Sequence, residues 1–375
     1  DAILAANQFD IKAAEDNKKD ASFIDRLALD MSRLKGICDT LAEIKSFEDP
    51  VGKVLASWER PNGLNISRVA TPLGVIGLIF ESRPNVAADA GGLCLKSGNA
   101  VILRSGKDGL RSATAIVNSL QDALKLSGLP EECIQIVPSE SREAATMMLE
   151  GLNGSIDVIV PRGGKSLVAE VERSAKVPVF GHLEGICHIY VDEEADEDKA
   201  LSICLNAKMR RTGICGAVET ILINEKISPS FVPKLVASLF DAECEIRCCK
   251  ETVGFDDRAM LASEEDWPTE YLAPIVSVKS VAGIDEAIAH IEKYGTGHTE
   301  SIISENKETQ SIFTHSIDSA IVMINASTQF ADGGEFGLDG EIGIATGKFH
   351  ARGPVGVDQL TSFKYIVTGN GQTRS

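Results

Sequence analysis

The sequence predicts an α/β protein built on parallel β-sheets. Continuous apolar runs, such as those that begin at Gly74 and Ala100, are typical of strands buried on both faces. Segments with helical spacing of apolar residues follow these runs, and this alternation is the pattern of a parallel sheet covered by helices. Because such sheets bind ligands at the carboxyl ends of their strands, we look for functional residues there first.

The first 57 residues are predicted to be helical, since apolar residues recur at intervals of three and four, as at Ile24, Leu27 and Met31. Pro61-Asn62-Gly63 then marks a turn between two short extended pieces, 55–59 and 65–70. A β-hairpin and a surface loop both fit these residues.

The alternation that defines the fold begins at Gly74. The predicted elements are strand 74–80, helix 86–95, strand 100–104, helix 110–126, strand 133–137, helix 142–149, strand 157–160, helix 166–174 and strand 177–180. A second alternation starts near His188 with a strand, an acidic loop and a helix that ends at Arg211. Further strands are predicted at 218–223, 275–278, 301–303 and 320–324. The glycine-rich stretch 329–356 has the length of a functional loop.

Composition excludes several classes of function. The formal net charge of -18 argues against nucleic-acid binding, which needs a basic face. No apolar run is long enough to span a membrane. The nine cysteines form no paired framework, so we expect free thiols and a reducing compartment. Cys244, Cys248 and Cys249 lack a second pair of ligands at zinc-site spacing, and no metal site is predicted.

A nucleophilic cysteine is predicted at Cys215, which lies between Gly213 and Gly216. The two glycines allow backbone and substrate to approach closely. Basic residues at 208, 210 and 211 precede it, and nearby cations favour the reactive thiolate. The motif predicts a helix, a tight turn that displays the thiol, and a buried strand, which suits covalent catalysis. A structural role as one more buried cysteine is the alternative.

Two strand ends carry residues suited to an anion. Ser105-Gly106-Lys107 follows one strand, and 161–166, with Gly163 and Gly164, joins another strand to a helix start. The Gly-Lys-Ser tripeptide is not a P-loop, because Ile159 stands where that motif needs its first glycine. A phosphate-binding loop and a plain turn remain open.

Longer motifs in a fixed order identify a family. They are "FESRPNVAADA", "CLKSGNAVILR", "VPRGGKSL", "NAKMRRTGICGAVET", "GHTESII" and "NASTQFADGGEFGLDGEIGIATGKFHARGPVG". On these motifs the chain resembles the gamma-glutamyl phosphate reductases, a proline-biosynthesis family of the aldehyde dehydrogenase superfamily, from its first residues to near its end.

The resemblance implies two Rossmann-like α/β domains and a small β-hairpin flap that joins subunits. The expected domains are an NADP-binding domain (1–57 and 71–183), a catalytic domain (184–352), and the flap with the C-terminal tail (58–70 and 353–375). It also implies a cytoplasmic homodimer or higher homo-oligomer, a functional association with glutamate 5-kinase, and further residues before Asp1.

The implied reaction is the reduction of L-glutamyl 5-phosphate by NADPH to L-glutamate 5-semialdehyde and phosphate. Cys215 is expected to attack the acyl phosphate and form a thioester, which then accepts a hydride. The superfamily's hydrolytic glutamate is replaced here by the stretch "HLEGICH", where His182 lies nearest that position and Glu184 follows. A reductase has no use for a hydrolytic base.

The expected site residues follow motif by motif. The catalytic pair is Cys215 with Asn206, and the oxyanion donor is either Asn206 or Asn85. The cofactor-binding set is Arg104, Ser105, Lys107, Arg162, Gly163, Gly164 and Glu270. The substrate-binding set is Arg83, Asn85, Lys208, Arg211 and His298. Lysine at 107, where NAD-preferring relatives often place an acid, favours NADP because positive charge suits a 2′-phosphate.

Two other functions are weighed against the reductase. A hydrolytic aldehyde dehydrogenase would act without phosphate. A non-catalytic module that keeps the fold would be inert toward thiol reagents. A fragment of a fused kinase–reductase is a further possibility for the chain.

Overall fold

A computed structural model of the chain describes residues 1–338 and 340–374. In it the chain divides into two units. Unit 1 consists of Asp1–Gly181, Gly337–Ile344 and Phe349–Ser375, and unit 2 of His182–Phe336 and Ala345–Lys348. No helix within the described residues is both long and apolar enough to cross a membrane.

The helices are α1 (Ala2–Asp16), α2 (Ala21–Leu27), α3 (Met31–Ser46), α4 (Val86–Lys96), α5 (Leu110–Leu126), α6 (Arg142–Leu149), α7 (Lys165–Ser174), α8 (Glu197–Met209), α9 (Ser228–Asp241), α10 (Ile284–Tyr294) and α11 (Lys307–Ser316). The strands are β1 (Val54–Glu59), β2 (Asn65–Pro72), β3 (Val75–Phe80), β4 (Ala100–Ser105), β5 (Ile134–Ile136), β6 (Val158–Arg162), β7 (Cys187–Val191), β8 (Val218–Asn224), β9 (Glu245–Cys248), β10 (Met260–Leu261), β11 (Ile275–Val281), β12 (Thr299–Ile303), β13 (Ile321–Ile324), β14 (Ile344–Ala345), β15 (Gly353–Pro354) and β16 (Thr361–Thr368).

Unit 1 contains a parallel sheet in the order β5-β4-β3-β6. The chain runs outward from β3 to β5 and then returns to the other side of β3 with β6, so the strand order reverses between β3 and β6. Ser105 and Arg162 both lie opposite Phe80, at the carboxyl ends of their strands. In open α/β sheets such a reversal point is where ligands bind.

A second, antiparallel sheet of unit 1 pairs β1 with β2 and β2 with β16. The hairpin predicted around Pro61-Asn62-Gly63 is therefore present, and the C-terminal strand completes a three-stranded sheet. Its role in joining subunits stays a prediction.

Unit 2 contains a seven-stranded parallel sheet in the order β10-β9-β11-β8-β7-β12-β13. Helices α8 and α9 contribute Cys204, Phe231 and Leu235 to a core on the sheet, and α10 and α11 contribute Ile291 and Phe313 to another. Every residue of β8 is buried, including the polar Glu219, Thr220 and Asn224.

The N-terminal region differs from the prediction of helix over 1–57. Asp20 and Asp30 accept hydrogen bonds from Phe23 N and Arg33 N, both at 2.7 Å, and these caps start separate helices. The helical region ends at Ser46, and residues 54–57 already belong to β1, so the prediction is wrong for 47–57.

The predicted strand 177–180 is also wrong. The segment makes only an isolated bridge from Val179 to Ile159, beside β6. Pro178 has no N–H to donate, which limits the ladder that this segment can form at a sheet edge. Elements between β8 and β11, namely α9, β9 and β10, are absent from the sequence prediction.

Candidate active site around Cys215

The Cys215 thiol lies in the loop that joins α8 to β8. Its residue is half-buried, and all nine cysteines of the chain are free, as predicted. Gly216 allows the loop to pack closely, because a Cβ there would lie 3.0 Å from the carbonyl oxygen of Thr328. The space around Gly213 is open by comparison, with its closest neighbour, Leu272 O, at 4.0 Å. The predicted helix, turn and buried strand are confirmed here.

Gly185 fixes the other side of this loop. A Cβ at position 185 would lie 2.2 Å from Cys215 O and 2.8 Å from Cys215 Cβ, so only glycine fits. The Gly185 N–H donates to Glu270 Oε1 at 2.9 Å. Sequence reasoning missed Gly185; its place inside "HLEGICH" was the only available signal.

The site lies at the amino edge of the seven-stranded sheet. Gly185, Cys215 and His298 each come just before a strand, β7, β8 and β12 respectively. Cys187 pairs with Val218 at the start of β7 and β8, which brings these preceding loops side by side. In unit 2 these residues therefore lie at amino ends of strands, in keeping with the predicted turn that displays Cys215 before a strand.

Two histidines adjoin the thiol. Ligand atoms of His182, Cys215 and His298 all lie within 4.8 Å of one another, and the two imidazole rings meet edge to face at 4.8 Å between centroids. His298 is fully buried, and its Nδ1 lies 2.9 Å from Thr299 Oγ1. Burial, with a contribution from His182, lowers the pKa of His298 to about 3, so its ring is neutral.

Cys187 is a second thiol beside the loop. Its Sγ donates to Cys215 O at 3.1 Å and lies 3.6 Å from His298 Nδ1. Burial, more than the nearby Glu300, raises the pKa of Cys187 well above its ordinary value. This thiol therefore stays protonated and holds the loop, so Cys215 is the candidate nucleophile of the pair.

Lys208 lies below the loop rather than at its surface. The residue is 0% exposed, and its Nζ bonds to Glu219 Oε2 at 2.5 Å. Burial raises the pKa of Glu219 to about 7, and Lys208 opposes that rise. A direct contact between Lys208 and substrate is disfavoured by this arrangement, because its charge is already paired inside the protein.

The end of α8 is tied to the loop by Gln329. The Gln329 Nε2 donates to Ala207 O at 2.8 Å and to Arg211 O at 3.1 Å. Arg211 is exposed, and so is Asn206 on α8. Sequence reasoning placed Arg211 and Asn206 in the site but missed Gln329, whose bonds cross more than a hundred residues.

The remaining predicted residues lie in unit 1, at the carboxyl ends of its parallel strands. Ser105 ends β4 and is buried, Lys107 follows it in the open, and Arg104 is half-buried. The Nε of Arg104 is buried and has no hydrogen-bond partner among the described residues. These cations fit an anionic group that carries several acceptors.

At the start of α7, a carboxylate of the chain lies where a phosphate-binding loop would hold its phosphate. Gly164 N donates to Glu81 Oε2 at 2.8 Å, so a carboxylate of the chain itself lies at the amino terminus of α7. A Cβ at Gly163 would lie 2.6 Å from Glu81 Oε2, so a side chain there would push the Glu81 carboxylate away. A phosphate would have to displace Glu81 to bind these amides.

Arg83 and Asn85 precede α4. Arg83 is exposed, and Asn85 Nδ2 donates to Asp89 Oδ2 at 2.8 Å. The structure thus brings Cys215, His298 and Glu270 into one neighbourhood of unit 2. The predicted residues of unit 1 form a separate group around β3, β4 and β6.

Comparison with known proteins gives the family. A model of the aldehyde dehydrogenase family matches residues 3–245 and 261–366. The gamma-glutamyl phosphate reductase of Parvibaculum lavamentivorans is 58% identical over 374 residues, which cover 100% of this chain and 88% of that protein. The same-named protein of Brucella suis is 57% identical, over 99% of this chain and 88% of its own length.

Solved structures agree with this assignment. The crystal structure of gamma-glutamyl phosphate reductase from Thermotoga maritima superposes with a TM-score of 0.97 at 44% identity, covering 100% of this chain and 90% of that one. An acetylating aldehyde dehydrogenase from Geobacillus thermoglucosidasius shares the fold, with a TM-score of 0.66 at 18% identity, over 100% of this chain and 90% of that one. The chain belongs to the aldehyde dehydrogenase family and, within it, to the gamma-glutamyl phosphate reductases.

Proposed function

We propose that the chain catalyses the NADPH-dependent reduction of L-glutamyl 5-phosphate to L-glutamate 5-semialdehyde and phosphate, the reductive step of proline biosynthesis, with Cys215 as the nucleophile. The observation that carries the proposal is the Cys215 loop, held against Gly185 so closely that no side chain fits at 185. The curated relatives, at 57–58% identity, are named for the reduction of this acyl phosphate.

The first chemical step is acyl transfer to sulfur. The Cys215 thiolate attacks the γ-carbonyl carbon, the carbon–oxygen bond to phosphate breaks, and inorganic phosphate leaves with the bonding electrons. An acyl phosphate is already activated, so the protein chiefly supplies a positioned nucleophile and stabilises charge. We assign the stabilisation of the oxyanion to Asn206.

When bound, the nicotinamide cofactor supplies the hydride that reduces the thioester carbon. The oxygen of the reduced centre, as an alkoxide, re-forms its carbonyl while the carbon–sulfur bond breaks and the bonding electrons return to sulfur. The semialdehyde leaves, and the Cys215 thiolate is restored. The neutral ring of His298 beside the thiol provides a hydrogen-bond acceptor without adding charge.

Within unit 2, substrate recognition is assigned to the exposed cation Arg211. Arg83, in unit 1, stays a prediction of the family resemblance. The phosphate and α-carboxylate of the substrate suit forked guanidinium donors. Lys208 is assigned a positioning role instead, since it supports the loop through its buried bond to Glu219.

Cofactor binding is assigned to three sets of residues. Arg104, Ser105 and Lys107 suit the 2′-phosphate and ribose of NADP, because the exposed ammonium of Lys107 and the unpartnered Arg104 Nε favour a phosphate. Arg162, with Gly163 and Gly164, lies at the sheet's reversal point. Glu270 adjoins the Cys215 loop through Gly185 and is assigned to the nicotinamide ribose.

The experiment that tests the proposal runs the reaction in reverse. The protein is mixed with glutamate 5-semialdehyde and NADP, with and without inorganic phosphate, and NADPH is followed by absorbance. We expect NADPH formation at steady state only with phosphate, and none in Cys215→Ala. Equal rates without phosphate would mean hydrolysis, and the reductase assignment would be wrong.

A further inference from the structure

The cluster of His182, Cys215 and His298 brings three metal-ligating side chains together from distant parts of the sequence. One ligand atom from each lies within 4.8 Å of the other two. His182, Cys215 and His298 precede three different strands, β7, β8 and β12, so the cluster cannot be recognised from a short sequence motif. The proposed reduction requires the thiol but does not require a three-ligand arrangement of this kind.

The donor set is that of a thiophilic divalent ion. One cysteine sulfur and two imidazole nitrogens are typical zinc ligands, and three protein ligands leave a fourth position open. Bond lengths of about 2.3 Å to sulfur and about 2.0 Å to nitrogen place tetrahedral ligands roughly 3.5 Å apart. The side chains therefore need to close by about an ångström to hold an ion.

An unpartnered buried nitrogen points to a ligand independently. His298 is 0% exposed, and its Nε2 has no hydrogen-bond partner among the described residues. Its Nδ1 is engaged by Thr299 Oγ1 at 2.9 Å, the kind of second bond that orients a metal-ligating histidine. With Nδ1 as donor, Nε2 keeps its lone pair for an ion. Buried polar atoms seldom lack partners, so His298 Nε2 is expected to bind a ligand.

The half-buried state of the other two ligands provides access. His182 and Cys215 are each partly exposed, so an ion can enter from solvent and meet the buried nitrogen last. The ring of His182 already meets that of His298 edge to face, with centroids 4.8 Å apart.

We propose that Cys215, His182 and His298 form a binding site for Zn²⁺. As the ion binds, the thiol of Cys215 releases its proton to solvent and its sulfur bonds to the metal, with no change in oxidation state. The metal-bound sulfur can no longer act as the nucleophile. If the chain has the proposed function, bound Zn²⁺ therefore inhibits the reductase reversibly, and a chelator restores activity.

The test uses Co²⁺ as a spectroscopic probe on the whole protein, without oxygen and without added thiols. We expect a thiolate-to-cobalt charge-transfer band that saturates at about one ion per chain and is abolished by a stoichiometric addition of Zn²⁺. This readout needs no turnover, so it stands or fails separately from the reductase assignment.

Variants assign the ligands. Cys215→Ser is expected to abolish the band. His182→Ala changes a half-exposed residue and is expected to weaken Co²⁺ binding at least about a hundredfold. Loss of a residue that only supports a ligand already costs up to about that much, and His182 is proposed as a direct ligand. Cys38→Ser, which removes an exposed thiol elsewhere, serves as the matched control and retains the band. Circular dichroism and thermal unfolding confirm that each variant is folded.

Three outcomes would overturn the proposal. The first is no charge-transfer band at saturating Co²⁺. The second is a band that survives Cys215→Ser or disappears in Cys38→Ser, which would place the ion elsewhere. The third is unchanged affinity in a folded His182→Ala protein.

Discussion

At the scale of single residues, the closest constraint on the nucleophile is the approach of Gly185 to Cys215. A methyl group at 185 would lie 2.2 Å from Cys215 O, closer than any real contact, so the loop that displays the thiol must shift. We predict that Gly185→Ala lowers kcat/KM about a hundredfold, the order of loss that an ångström of misplacement causes. Steady-state kinetics of the phosphate-dependent reaction measure this.

Gly254→Ala is the matched control, because no atom lies within 4 Å of a Cβ at 254. It is expected to leave the kinetics unchanged. If Gly185→Ala retained full activity in a folded protein, the proposed fit between Gly185 and the loop would be wrong.

The buried pair of Lys208 and Glu219 makes stability depend on pH. Burial raises the pKa of Glu219 to about 7 in the folded chain, above an unfolded value of about 4.5. Since the folded state holds the Glu219 proton more tightly than the unfolded state does, protonation of Glu219 adds to the free energy of unfolding, and this addition is complete below pH 4.5. It is lost as the pH rises toward about 7. Lys208 reduces the loss by stabilising the charged carboxylate.

We therefore predict that Lys208→Met costs more stability at pH 8 than at pH 6. At pH 8 the variant leaves a buried carboxylate unpaired, and the expected cost is about 3–5 kcal/mol in the free energy of unfolding. At pH 6 a protonated Glu219 avoids much of that cost. Urea denaturation at the two pH values measures the difference.

Lys234→Met removes an exposed lysine that pairs with Glu197 and is expected to change stability little at either pH. An equal cost of Lys208→Met at pH 6 and pH 8 would show that Glu219 does not change its charge in this range.

Single residues could be predicted from sequence where the pattern is local. Glycines and basic residues within a few positions indicated Cys215. Gly185, Gln329 and the burial of Lys208 could not be predicted, because each depends on a partner brought close only by the sheet. Lys208 in particular looks like a surface cation until Glu219 is known to lie beside it.

At the scale of elements, continuous apolar runs were reliable because both faces of these strands are buried. The strand predicted at 74–80 is β3, which begins one residue later, at Val75. The helix predicted at 110–126 is α5, with the predicted bounds. Helix α9 was not predicted, and prolines at 229 and 233 weaken its helical signal. The run 177–180 looked like a strand but contains Pro178 and forms only one bridge.

The three-stranded sheet of β1, β2 and β16 exposes an unusual number of apolar side chains. Trp58 is 39% exposed, Tyr365 56% and Ile366 46%. Clustered exposed apolar groups mark interaction surfaces, and edge strands invite pairing with another chain. We propose that this sheet joins subunits, and we predict that Ile366→Lys lowers the molar mass measured by light scattering.

Leu126→Lys is the control, since Leu126 is 90% exposed at the end of α5 and lies outside this sheet. It is expected to leave the molar mass unchanged. A molar mass that is the same for Ile366→Lys and the unaltered protein at low concentration would exclude Ile366 from the contact.

At the scale of the whole molecule, two parallel sheets present functional groups at opposite strand ends. In unit 1 the cations and glycines follow β4 and β6, at carboxyl ends. In unit 2 the nucleophile and its neighbours precede β7, β8 and β12, at amino ends. Sequence patterns predicted both sheets and placed Cys215 in a turn before a strand. That the loops before β7, β8 and β12 lie side by side follows only from the strand order.

In the proposed reaction Cys215 holds the substrate as a thioester that phosphate, and not water, resolves. This can be measured by mixing the protein rapidly with glutamate 5-semialdehyde and NADP in the absence of phosphate and following NADPH. We predict a burst of about one NADPH per chain that then stops, continued turnover when phosphate is added, and no burst in Cys215→Ala. Continued NADPH formation without phosphate, or a burst that survives Cys215→Ala, would contradict it.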